Sequence, residues 1–263
     1  MGHVYHGSST HGIKRLEPKK STHGTYVYAT EHKPLAVHFS GRCGDDFTYA
    51  LGHFGSSKDS PWELVELIPG ALEKMYSNSS SVYTFSDETF KDIHTGFSEV
   101  VSEVGVDVVS EEKYNSVYEA MMQLEKEGLV KIYRYPDRPK IIPQDSSHLI
   151  DKLKNYSKIS GRKTTKRDLD RLFVMHPELM DKINEYAEEL GYSFRYRKED
   201  LLGLFKDNII KQLIKRKKED EYFIESSYES IITTFPELTV YMDQLYGKYR
   251  YWADIRASLS KLL

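Results

Sequence analysis

The spacing of apolar positions changes part-way along the chain. Up to about residue 135, short runs rich in valine and tyrosine are separated by small or polar turns, the pattern of strands. Such runs are Val4-Tyr5-His6, Thr25-Tyr26-Val27-Tyr28-Ala29, residues 62–68 ended by Pro69-Gly70, residues 81–84 and residues 129–135, with 77–80 read as the turn between the third and fourth. Residues 99–109 hold the strongest β pattern, and Gly105 in its middle predicts a bulge or two strands meeting at a bend. Two helices interrupt this region. One follows Thr30 and carries Ala36 and Phe39; the other starts at an Asn115 or Ser116 cap, puts Val117, Ala120, Met121 and Leu124 on one face and ends at Gly128.

Beyond Asp145 every segment has helical spacing. His176-Pro177-Glu178-Leu179 and Phe235-Pro236-Glu237-Leu238 are helix starts of one design, with proline at the first helical position and an acid in the first turn. Stripes follow each: Leu179, Ile183, Tyr186, Ala187 and Leu190, then Leu238, Tyr241, Met242, Leu245, Tyr249 and Trp252. Leu201, Leu202, Phe205, Ile209, Leu213 and Ile214 mark a longer helix between them that runs into Lys215-Arg216-Lys217-Lys218. The change of period predicts an α+β chain with a β-rich domain at 1–143 and an α-helical domain at 144–263.

Composition adjusts this picture modestly. Of 263 residues, 39% are hydrophobic, enough for packed cores. Cys43 is the single cysteine, so no intramolecular disulfide can form, which fits a reducing compartment. The start lacks a signal-peptide pattern and no apolar run approaches the roughly 18 residues of a membrane span, so a soluble, cytoplasmic protein is expected. The net charge of −3 is unevenly spread. Residues 1–150 hold 15 basic and 21 acidic side chains, the rest 22 and 19. Lys215 to Lys218, with Lys158, Arg162, Lys163, Lys166 and Arg167, could meet a nucleic acid, although a basic run at a helix end is more often solvated. The histidines at 11, 23, 32 and 38 fit no zinc spacing, and no metal is expected.

The candidate chemistry lies in the first forty residues. A strand ending in His6-Gly7-Ser8 is followed about twenty residues later by Tyr26-Val27-Tyr28-Ala29-Thr30 and a helix, with the aromatic Phe39 eleven positions after Tyr28. Glycine after His6 leaves its N–H and C=O available with no Cβ in the way. Over residues 4–39, and more thinly to about 136, this order resembles the NAD-binding half of the ADP-ribosyltransferase superfamily. It is similar to the enzymes that ADP-ribosylate rifampin and to the core of the poly-ADP-ribose polymerases.

The resemblance implies a split β core and a mono-ADP-ribosyltransferase. NAD would be the substrate, nicotinamide the leaving group, and the acceptor a protein, nucleic acid or small molecule, in the manner of a toxin or defence effector. It implies that Gly7 grips the nicotinamide amide, with Ser8 as a second contact. His6 would bond the adenosine-side ribose, and Tyr28 would stack on the nicotinamide with Phe39 as a second wall. Cleavage also needs a carboxylate near the developing oxocarbenium charge. Glu99, heading a late strand, ranks first; Glu73, where the rifampin-type enzymes carry an aspartate, ranks second; Glu103 ranks third. Two other readings are an inactive NAD-binding module and the NAD-dependent RNA 2′-phosphotransferase family. The latter relies on paired arginines, where this chain offers only Arg15 and Arg42 in loops. The helical domain is expected to select the acceptor or bind a partner.

Overall fold

The computed structural model describes residues 2–21, 23–41, 46–54, 60–94, 98–215 and 218–260, with the backbone alone at 160, 212–215, 218–220 and 256–260. Cys43, Arg42, the linker at 55–59 and the side chains of Lys215 to Lys218 lie outside the described residues.

Alternating apolar positions form the strands β1 (His3–Ser8), β2 (Arg15–Leu16), β3 (Lys19–Lys20), β4 (Thr25–Ala29), β5 (Tyr49–Gly52), β6 (Trp62–Glu66), β7 (Ser80–Ser86), β8 (Phe90–Lys91), β9 (Val100–Ser102), β10 (Val106–Asp107), β11 (Ser110–Tyr114) and β12 (Val130–Tyr133). Among them lie helices α1 (Lys33–Phe39), α2 (Ala71–Met75) and α3 (Val117–Lys126). Afterwards come α4 (His148–Ser160), α5 (Lys166–Met175), α6 (Met180–Glu189), α7 (Asp200–Lys215), α8 (Lys218–Thr234) and α9 (Thr239–Ser260). The chain is thus a mixed α and β protein, with small sheets of order β1-β7-β11, β3-β4-β9-β8, β10-β2 and β12-β6-β5.

Packing divides the chain into two units. The first comprises 1–44, 51–64 and 72–132; the second takes 45–50, 65–71 and 133–263. A single cut at Pro143 is therefore not where packing divides the chain, because two short segments from early in the sequence belong with the helices. Phe47 carbonyl accepts from His176 Nε2 at 2.5 Å, and Thr48 Oγ1 lies 2.6 Å from the Tyr222 hydroxyl. Both contacts are made deep within the second unit.

In the first unit, inward residues of several strands meet: Val4 of β1, Val27 and Ala29 of β4, Tyr83 and Phe85 of β7 and Val106 of β10 are buried together. The bend expected at Gly105 separates β9 from β10, and its carbonyl accepts from Arg15 Nη2 at 3.0 Å. α3 begins at Ser116, whose hydroxyl accepts from Glu119 N–H, and Gly128 follows it at φ 72°, a left-handed conformation that glycine adopts without a Cβ clash.

Several expectations differ from the structure. The turn expected at 77–80 is preceded by a helix, α2, and β11 was not foreseen because its Ser-Glu-Glu-Lys-Tyr sequence lacks apolar alternation. Both proline-headed starts open as 3-10 turns that pass into α6 and α9. On α6 the stripe is buried as expected at Leu179, Ile183, Tyr186 and Ala187. On α9, Tyr241 and Trp252 are instead exposed, while Met242 and Tyr249 carry the packing. Of the basic residues grouped as a nucleic-acid contact, Arg162 is paired to Asp168 and Lys166 to Asp170. Asp168 also completes the capping box with Thr165 that starts α5. Arg15 stands in β2 rather than a loop and is held by Glu17 and Asp107.

Candidate functional site

The site is built where β1 and β4 part. Tyr5 N–H donates to Thr30 carbonyl at 2.7 Å and Thr30 N–H to Tyr5 carbonyl at 2.9 Å. This is the one bridge between the strands among the described residues. Backbone groups two residues apart point to the same edge. The N–H and C=O of Gly7 therefore point, like those of Tyr5, away from β7 and into the fork beyond the bridge. Val109 N–H donates to Thr84 carbonyl, which turns Thr84 and hence Val82, the partner of Gly7, toward β11. No group among the described residues takes up the two polar atoms of Gly7.

Glycine at position 7 has a packing cause that the sequence did not reveal. A Cβ there would lie 1.8 Å from the Ala36 carbonyl oxygen and 2.9 Å from Ser40 Cβ, so α1 occupies that side of the strand. What remains open is the edge of the strand.

His6 closes the inner end of the fork. Its Nδ1 lies 2.8 Å from the Tyr28 carbonyl oxygen, which can only accept, so Nδ1 carries the proton and Nε2 is left as an acceptor. Burial is the chief cause that lowers its pKa; the Tyr28 hydrogen bond works against this and Lys19 adds to it, so the ring is neutral near pH 7.

Tyr28, on the facing strand, has a ring set edge-on to Tyr26 at 6.0 Å. Its hydroxyl is buried and has no partner among the described residues. An unpaired buried hydroxyl costs free energy, and such an atom marks a place where a polar group from outside would be accommodated. Phe39 is 44% exposed and packs against His38 with ring centroids 4.9 Å apart. Ser8 Oγ accepts from Thr10 N–H at 3.1 Å, so its hydroxyl holds the loop that leaves β1.

The three carboxylates are separated by the fold. β4 pairs with β9 so that Val27, Tyr28 and Ala29 face Ser102, Val101 and Val100. Glu99 lies half-buried just before β9, next to Val100, the partner of Ala29. Glu103 leaves the other end of β9, about 13 Å away at the rise of an extended strand. It is exposed and bonded to Lys91 Nζ at 2.6 Å. Glu73 stands exposed in the first turn of α2, away from any strand end. The fold thus places His6 and Gly7 on β1 and Tyr28 on β4, with Glu99 just ahead of β9, Glu103 just past its far end, and Phe39 and Glu73 on α1 and α2.

A second polar cluster borders this one and was missed in the sequence. Glu111 of β11 accepts from Gly12 N–H at 2.9 Å, from Ser81 Oγ at 2.7 Å and from the Tyr83 hydroxyl at 3.2 Å. The Gly12 bond and the Ser81 bond hold its carboxyl down to about 2. The single hydrogen of the Tyr83 hydroxyl lies between Glu111 and the Thr10 carbonyl, 2.8 Å away, and Ile13 N–H reaches its oxygen, so this cluster fixes the loop after β1. Its members come from three distant places in the chain, the loop after β1, β7 and β11, and no local spacing signals them.

Among the described residues no group of carboxylates, histidines or cysteines is arranged to hold a metal ion, and no helix is long and apolar enough to cross a membrane. No family model, curated protein or solved structure matches this chain.

Proposed function

We propose that the first unit is an ADP-ribosyltransferase-type domain that cleaves NAD between nicotinamide and ribose and passes ADP-ribose to an acceptor. The observation that carries this reading is the fork. β1 and β4 meet at one bridge and then part, leaving the N–H and C=O of Gly7 unpaired among the described residues, beside a neutral histidine and a tyrosine, with Glu99 heading the strand that pairs with β4.

Each group has a task in that reaction. A primary amide offers one acceptor and two donors, which the paired N–H and C=O of Gly7 complement. His6 Nε2 accepts from a ribose hydroxyl, while its bond to Tyr28 fixes both the ring and the tautomer. Tyr28 supplies an aromatic surface for the nicotinamide. As the C1′–N1 bond breaks, its electron pair leaves with nicotinamide and the ribose gains positive charge. A carboxylate at Glu99 then stabilises that charge more than it stabilises the bound substrate.

Arg15, committed to Glu17 and Asp107, does not offer the free arginine that a 2′-phosphotransferase requires. The full chain incubated with NAD should release nicotinamide, measured by chromatography. Glu99→Gln should slow that release at least a hundredfold while changing the calorimetric NAD affinity less than threefold. NAD binding without any release by the wild type would favour a binding module, and no binding at all would end the proposal.

A further inference from the structure

Next to the fork, four side chains form a chain of hydrogen bonds with one direction. Ser79 stands just before β7 and Ser81 within it, and the His11 ring reaches both hydroxyls. Nδ1 is 2.8 Å from Ser81 Oγ and Nε2 is 3.2 Å from Ser79 Oγ. Ser81 Oγ is in turn 2.7 Å from Glu111 Oε1.

The proton positions follow by elimination. An ionised Glu111 only accepts, so Ser81 donates to it. Ser81 has a single hydrogen, so toward His11 it accepts, and His11 Nδ1 is the donor. In the neutral imidazole Nε2 is then the acceptor, and the Ser79 hydroxyl donates to it. Nucleophile, base and orienting group stand in sequence, which is the arrangement that activates a serine. Ser81 is fully buried, so its link to Glu111 is shielded, whereas Ser79 and His11 are exposed and can be reached.

The location supplies the electrophile. Ser81 pairs with Ser8 and Val82 with Gly7. His6, Ser8, Ser81 and Tyr83 therefore share one face of the sheet, the face opposite α1. Ser79 stands three residues before Val82, on the order of 10 Å from Gly7 by strand rise and spacing.

We propose, resting on the NAD reading above, that Ser79 is an acceptor of ADP-ribose on this chain itself. Ser79 Oγ forms a bond to C1′ of the nicotinamide ribose as the C1′–N1 bond breaks. The electron pair of that bond leaves with neutral nicotinamide, and the serine proton passes to His11 Nε2. His11 is the base; Ser81 and Glu111 are positioning residues.

The test uses the full-length protein with NAD, measuring nicotinamide release by chromatography and mapping the modification by mass spectrometry with fragmentation that preserves the sugar linkage. ADP-ribose is expected on Ser79. Ser79→Ala should remove that modification while nicotinamide is still released to water. His11→Ala should slow modification of Ser79 at least tenfold, and free imidazole should restore part of the rate, which a merely structural role for His11 would not allow. Nicotinamide release with Ser79 unmodified overturns this inference and leaves the NAD reading standing. Modification of Ser79 at the wild-type rate in His11→Ala overturns the relay. Absence of any nicotinamide release overturns both proposals.

Discussion

β1 presents two edges made by the same six residues, and they are used in opposite ways. Toward β7 the register runs unbroken from His3 to Ser8, and the backbone groups on that edge are spent on the sheet. Toward β4 a single bridge at Tyr5 and Thr30 is followed by an opening. A paired edge is what stability alone favours, because buried backbone groups left unbonded cost free energy. Retaining an unpaired edge beside a partly buried histidine and a buried, unpartnered tyrosine hydroxyl makes sense when a partner from outside completes the bonding. The contrast separates what β1 does for the fold from what it does for a ligand.

The largest expected effect comes from Gly7→Ala, which disturbs the face where α1 rests and, through it, both edges of β1. Its Cβ would fall 1.8 Å from the Ala36 carbonyl, a backbone atom that cannot swing aside, so α1 must be displaced. Overpacking of this kind costs about 3 kcal/mol. Denaturant unfolding should show that loss with an unchanged slope, and NAD binding should disappear with it. A variant as stable as wild type would mean that α1 does not rest on β1 as described.

Tyr28→Phe isolates the open side. The hydroxyl removed is buried and unpartnered, so the free protein should gain about 1 kcal/mol in thermal or denaturant stability. NAD affinity should nevertheless fall about tenfold, or about 1.4 kcal/mol, if the ligand supplies the missing partner. A loss of stability in the free protein would show that the hydroxyl is already satisfied, and the contrast between the edges would weaken.

The smallest effect probes the paired side through the Glu111 cluster, by comparing wild type with Glu111→Gln across acidic pH. The carboxyl titrates near 4.5 in an unfolded chain and about 2 in the folded one. A depressed folded value means that the unfolded state binds the proton first. The stabilisation is therefore complete above about 4.5 and is lost as pH falls toward about 2. Wild type should lose stability relative to Glu111→Gln across that window and only there. Parallel curves for the two proteins would show that the carboxylate does not anchor the loop.

Much of the framework could be read from residue order alone, for local reasons. Alternation of valine and tyrosine marks β1, β4 and the cores of β6 and β7, and Ser116 with Gly128 brackets α3, since caps and period depend only on neighbours along the chain. The same local rule fails where burial outweighs pattern. Tyr241 and Trp252 keep helical spacing with buried residues yet face solvent, and charged β11 forms a strand because β7 offers it an edge.

For the candidate site, His6, Gly7, Tyr28 and Glu99 could be named from their order, because strand ends and a following helix have a linear signature. The placement of Glu99 and Glu103 at opposite ends of β9 could not be named, since it depends on where that strand pairs with β4. Equally hidden was the reason for glycine at position 7, a helix carbonyl some thirty residues on in the chain. The His11, Ser79, Ser81 and Glu111 chain lies wholly on that side of the divide. Its hydrogen bonds span as many as 70 residues, between His11 and Ser81, and only folding brings such groups within bonding distance.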